Sequence, residues 1–183
     1  MITSKVFAIA GLWAVFVVLA VHLLQFPGSV PDFNRASGGG VLLDATPAFT
    51  PDKTYERLAA YGEAGRRNYS FRNVTVDVTL PLSVVPFLVL LIRKAIVPFS
   101  FGRVMRAVFV SIPFLYLAFD LLENASVLGL LANYPGRMDG LAASLPYTTV
   151  VKRAASLMAI VLPLSLMGIQ FVRARRLPAV RRS

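Results

Sequence analysis

Hydrophobic residues along this chain gather into four long runs with polar segments between them. They cover Val6 to Phe26, about Val74 to Ile92, Ala107 to about Ala132, and from near Tyr147 to Val172. A helix crosses the hydrocarbon core of a bilayer with about 20 mostly apolar residues. Each run meets that length, so the pattern predicts four transmembrane helices. Residues 27–73 form the one long connection. Its first part, PGSVPDFNRASGGG, is rich in turn residues, and the triplet Gly38-Gly39-Gly40 requires either flexibility or close packing. TPDKTYERLAAYGEAGRR then reads as a surface helix over 51–67, with Thr50 as N-cap and Pro51 at the first helical position. Tyr55, Leu58 and Ala59 share one stripe of that helix.

RNVTVDVTL alternates like a strand, Val74, Val76, Val78 and Leu80 interleaving with Thr75, Asp77 and Thr79. Length decides against a strand. The uninterrupted apolar stretch from Leu80 to Ile92 is 13 residues. As helix it covers roughly 20 Å of a core about 30 Å thick. A helix starting near Val74 spans it and carries Asp77 into the outer edge of the membrane. Pro81 then falls in the first turns, where it is tolerated, and Pro86 is expected to kink the helix.

Composition agrees with a membrane protein: 56% of residues are hydrophobic and the mean hydropathy is +0.67. The absence of cysteine removes disulfides, thiolate metal sites and cysteine redox chemistry. A net charge of +10 raises nucleic acid as a partner, but the distribution points elsewhere. With the amino terminus in the cytoplasm and four crossings, Lys5, Arg93, Lys94, Arg103, Arg106, Arg173, Arg175, Arg176, Arg181 and Arg182 all fall on the cytoplasmic side. All 9 acidic residues fall on the other side or in the outer half of the bilayer. The excess lies where the positive-inside rule requires it, so the charge reports topology and nucleic acid is not an expected partner. The first run is longer than a signal-peptide core and no A-x-A site follows, so a retained helix is expected.

The third run is unusual in carrying Asp120, Glu123 and Asn124 within FDLLENASVL. Counted from Arg106 at the inner boundary, Asp120 lies roughly 20 Å and Glu123 roughly 25 Å along the helix axis. Helical spacing puts the three on one face with Tyr116 a turn below. A bare carboxylate facing lipid is costly, so this face is expected to turn inward. The fourth run supplies Thr148, Thr149, Lys152 and Ser156 at a similar level. The first supplies His22 and Gln25, and the second Asp77. Lys152 is the natural counter-ion for Glu123 or Asp120, because a buried acid needs a charge partner or a proton. Arg153 is expected among headgroups, and Arg66, Arg67 and Arg72 on a solvated surface or against lipid phosphates. Asn68-Tyr69-Ser70 and Asn73-Val74-Thr75 match the glycosylation sequon.

Three functional readings follow from this polar layer, beside the bland one of an ion-pair network that fixes helix register. In the first, Asp120 and Glu123 act as acid/base groups or polar anchors with Lys152 as counter-ion, in a pocket for a lipid-like or other hydrophobic molecule. Asp77, Asn124, Thr148, Thr149, His22, Tyr116 and Arg66 then support the ligand. In the second, His22, Asp77, Asp120 and Glu123 hold a divalent metal, but no helix shows a tight ligand motif, and no metal is expected. In the third, the chain is a non-catalytic accessory or structural subunit, docking another membrane protein or a second copy of itself. No cofactor can be named from these residues.

YGEAGRRNY, then Asp77 and Pro81, then DLLEN, then TTVVK resemble a pattern in small four-span bacterial membrane proteins that have no assigned activity. The resemblance covers residues 55–152 and implies a bacterial plasma-membrane location but no mechanism. The outline, with a long first outer loop and short later ones, is also similar to claudin-type proteins, whose loop cysteine pair is absent. The expected fold is an all-α integral membrane four-helix bundle, both termini cytoplasmic. Its long outer loop carries the surface helix, and a basic tail occupies 173–183.

Overall fold

A computed structural model describes residues 4–176, and the chain is 81% helical with no strand among those residues. Four stretches are long and apolar enough to cross a membrane: Ser4–Leu23, Gly62–Ile96, Arg103–Asn133 and Asp139–Arg175. The elements are α1 (Ser4–Leu23), α2 (Val30–Ala36), α3 (Pro51–Ala60), α4 (Gly62–Val74), α5 (Val76–Ile96), α6 (Arg103–Asn133) and α7 (Asp139–Arg176). The expected basic tail continues α7 as far as Arg176. Its remainder, 177–183 with Arg181 and Arg182, lies outside the described residues.

α6 and α7 pack along each other, α5 packs on both, and α1 lies against α5 and reaches α2. At 31 and 38 residues, α6 and α7 exceed what a bilayer core requires. Their lengths of roughly 45 and 55 Å carry them past a hydrocarbon layer of about 30 Å. α7 begins at Asp139, before the apolar run, because Ala142 and Leu145 in its first turns are buried in the core beneath α2–α4. That core joins Phe33, Leu43, Leu58 and Tyr69 to Val127 and Leu130 of α6. The segment 27–75 thus forms a cap on one end of the long helices. The opposite end, where α5 leads into α6, has its own small core of Ile92, Ala95, Ile96 and Leu166.

The sequence pattern and the structure part company in the cap. The stretch read as turn-rich contains α2, a short helix capped by Ser29, whose Oγ accepts the Asp32 amide at 3.3 Å. Phe33 on it is fully buried against the rings of Tyr61 and Tyr69, each at 5.2 Å between centroids. Burial of one aromatic side chain stabilises by about 2 kcal/mol or more, which favours this short helix over an open turn. The expected helix over 51–67 is two helices, α3 and α4. Gly62, the first residue of α4, adopts a φ of 63°, a conformation in which side chains other than glycine are strained. Of the glycine triplet, Gly38 and Gly39 have positive φ, while a Cβ on Gly40 would stand 2.8 Å from the Tyr61 ring. The alternating segment at 74–80 is helical. α4 passes into α5 with only Thr75 between them, and Val76 and Asp77 are buried while Val74 is exposed.

Candidate functional site

The helical spacing in α6 places Asp120, Glu123 and Asn124 on one buried face. Glu123 is fully buried. Its Oε2 accepts Lys152 Nζ and its Oε1 accepts the Thr149 hydroxyl, which also bonds Leu145 O at 3.1 Å. Both partners come from α7, three residues apart, so one face of α7 meets one face of α6. Lys152 Nζ lies 3.5 Å from Asp120 Oδ1 and 3.8 Å from Asp44 Oδ2. Asn124 donates through Nδ2 to Asp120 Oδ2 and to the Asp77 carbonyl, both at 3.2 Å, which ties α6 to the start of α5. Asp77 Oδ1 lies 2.7 Å from Arg72 Nη2, and Arg72 Nη1 donates to Gly28 O at 2.8 Å. A continuous polar layer therefore links the cap, α5, α6 and α7.

Two members of this layer were not anticipated. Asp44 comes from the cap, where Tyr69 donates to its Oδ1 at 3.4 Å. Leu42 and Leu43 before it are buried, and this apolar pair was the sequence signal that Asp44 would be drawn inward. Arg72, expected on a surface or against phosphates, is 3% exposed. A cation five residues ahead of Asp77 was available to meet an acid entering a membrane span, and it does so. Arg153, expected among headgroups, donates from Nη2 to the carbonyls of Asp44 and Ala45, the latter at 2.6 Å.

Other expected members lie apart. His22 is exposed on α1, its Nδ1 2.8 Å from Val18 O one turn back, and Gln25 is exposed beyond it. α1 packs on α5 and α2, so its last turn does not reach α6 or α7. Arg66 sits in the cap, 4.2 Å over the Tyr134 ring and donating to Leu58 O at 2.8 Å. Thr148 is buried but bonds Ser144 O at 3.4 Å, and Ser156 bonds Arg153 O at 2.9 Å; neither touches a carboxylate. Tyr116 packs beside Leu88, Ile112 and Ala159. Asn73 of the second sequon is 1% exposed, so in this fold it offers no amide for glycosylation. Asn68 of the first is partly buried and donates to Asp32 Oδ2 at 2.6 Å.

Among the described residues, no three histidine or acidic side chains converge as a metal-holding group. In the polar layer the Lys152 ammonium stands between the carboxylates instead. Four cavities of 310 to 630 Å³ can be described, and none is lined by Asp120, Glu123 or Lys152. Within the polar layer Glu123 is fully buried, while the Asp44 side chain keeps 28% exposure.

Space is found beside it. An apolar groove of about 310 Å³ runs between α1 and α5, walled by Trp13, Phe16 and Ala20 on one side and Val76, Thr79 and Leu80 on the other. Pro27 and Phe71, at its end, also line a cavity of about 630 Å³ in the cap, edged by Asp32, Glu63, Arg67 and Asn68. Asp32 anchors this edge. The Gly28 amide at 3.0 Å, then Asn68, then Arg35, hold its carboxyl below the usual carboxylate range. Comparison with protein-family models, with characterised proteins and with solved structures returns no match to this chain.

Proposed function

We propose that this is a multi-pass membrane protein that binds a lipid-like molecule without transforming it. In this reading the four long helices form a bundle in a bacterial plasma membrane, with the cap outside and both termini in the cytoplasm. The net excess of basic residues at the end opposite the cap, where no acidic side chain lies to balance them, supports that orientation. The observation that carries the binding function is that the apolar α1–α5 groove and the polar-edged cavity are neighbours, with Pro27 and Phe71 lining both. An apolar trough that opens toward lipid and ends among polar side chains matches the shape of an amphiphile, tail along α1 and head at the cap. The Asp120–Glu123–Lys152 layer serves as a latch between cap and helices. Its carboxylates are committed to Lys152, Thr149 and Asn124, which supports a structural use for them.

Trp13 is the only tryptophan of the chain and it lines the groove, so its fluorescence reports occupancy directly. Titrating brominated phospholipid into the detergent-solubilised protein is expected to quench Trp13 in a saturable way. Thr79→Phe, which fills the groove from an exposed position, is expected to remove the saturable component, while Asp120→Asn retains it. Quenching that is linear in lipid and identical in Thr79→Phe contradicts the proposal. Loss of saturation in Asp120→Asn, with helicity intact, returns the site to the polar layer.

A further inference from the structure

The end of the molecule opposite the cap holds a second cavity, of about 390 Å³, between the last turns of α5 and the first turns of α6. Arg93 and Arg106 line it together with Ile96, Val97, Ala107 and Val110. We infer that this cavity is a binding site for the phosphate group of an anionic membrane lipid, with the adjoining apolar wall receiving the upper part of an acyl chain.

Charge is the first argument. At the cap end four arginines meet acids, Arg35 with Asp32, Arg67 with Glu63, Arg72 with Asp77, and Arg137 with Asp52 and Asp139, while Arg57 and Arg66 donate to backbone carbonyls. Around the second cavity no such pairing exists among the described residues. Arg93 makes no ion pair or hydrogen bond there, and the neighbouring cations Lys94, Arg103 and Arg106 have no acidic partner either. The local positive charge is left for something outside the chain to balance.

Geometry is the second. Arg106 is held in place by its own turn, with Nε donating to Phe101 O at 3.0 Å and Nη2 to Phe99 O at 3.2 Å. Its guanidinium is therefore oriented before any ligand arrives, with Nη1 still available. Lys94 is laid over the Phe7 ring at 4.3 Å and Arg173 over Phe99 at 5.5 Å, so Arg93 is the uncommitted cation that faces the same cavity as Arg106. Two guanidinium groups beside one cavity suit a phosphodiester, whose oxygens accept forked hydrogen bonds. The apolar wall distinguishes a lipid from a free phosphate compound. Basic pockets between spanning helices at the basic face of a membrane protein take anionic headgroups for these reasons.

The test is native mass spectrometry of the full chain in detergent, with phosphatidylglycerol, phosphatidylethanolamine and glycerol phosphate as probes. Phosphatidylglycerol is expected to bind about tenfold more tightly than phosphatidylethanolamine and to weaken as salt is raised. Arg93→Gln is expected to weaken it about fivefold, while Lys53→Gln, an exposed cation on the cap, leaves it unchanged. Glycerol phosphate at equal concentration is expected not to displace the lipid. Unchanged phosphatidylglycerol binding in Arg93→Gln, or equal binding of the two lipids, overturns the site. Full displacement by glycerol phosphate overturns the assignment to a lipid.

Discussion

Lys152 stands among Asp44, Asp120 and Glu123, and Arg72 lies buried against Asp77, all beneath the cap. At the other end Arg93 and Arg103 are exposed on helix ends and make no ion pair among the described residues. Both regions are rich in charge, and burial separates them. A cation removed from water needs partners within the protein, because an uncompensated buried charge costs several kcal/mol. Once those partners are found, the group is closed to ligands. A cation left in water carries no such demand and stays available to whatever approaches. The cap end therefore uses its charges to hold helices together, and the basic end holds its charges toward its surroundings.

The largest way to break this contrast is to unbalance the buried layer. Lys152→Met leaves Glu123 and Asp120 without their cation and is expected to cost about 3–5 kcal/mol, read as a lower unfolding midpoint in detergent. Arg72→Met strands Asp77 and the Gly28 carbonyl, with an expected cost of about 3 kcal/mol by the same measurement. Thr149→Val removes one donor from Glu123 and keeps the shape of the side chain, so a loss of about 1–3 kcal/mol is expected.

Asp32 sharpens the comparison through pH. Its folded carboxyl sits below the ordinary value for aspartate, about 3.9. Its contribution to stability is thus complete above that ordinary value and fades as pH falls through the lower folded one. Asp32→Asn is expected to be less stable than the parent at neutral pH, the difference shrinking on acidification below about pH 4 in parallel melts. At the other extreme, Arg93→Gln is expected to leave the unfolding midpoint within about 0.5 kcal/mol of the parent, since no protein group depends on it.

How far the sequence discloses this arrangement depends on which physical rule governs each part. The long helices were legible because span length is set by the bilayer, and Glu123 with Lys152 was legible because a buried acid demands a cation. The cap was legible only at its turns and caps. Thr50 and Pro51 marked α3, but α2 exists because Phe33 is buried between Tyr61 and Tyr69, a contact over about thirty residues that local pattern does not contain. His22 misled for a related reason. Depth along a span can be counted from sequence, whereas which neighbour a helix faces depends on packing, and α1 packs on α5 and α2 rather than on α6 or α7. For Asp44 the apolar Leu42-Leu43 pair was the one cue, because a loop acid has no periodicity to reveal where it points.

A double-mutant cycle between Glu123 and Lys152 tests most directly whether the polar layer is a latch. Lys152→Met, Glu123→Gln and the pair are unfolded side by side in one detergent. If the layer holds the structure through charge matching, neutralising both partners restores part of what Lys152→Met alone removes, with a coupling of about 2 kcal/mol. Additive costs, with the double variant less stable than either single one, would contradict it.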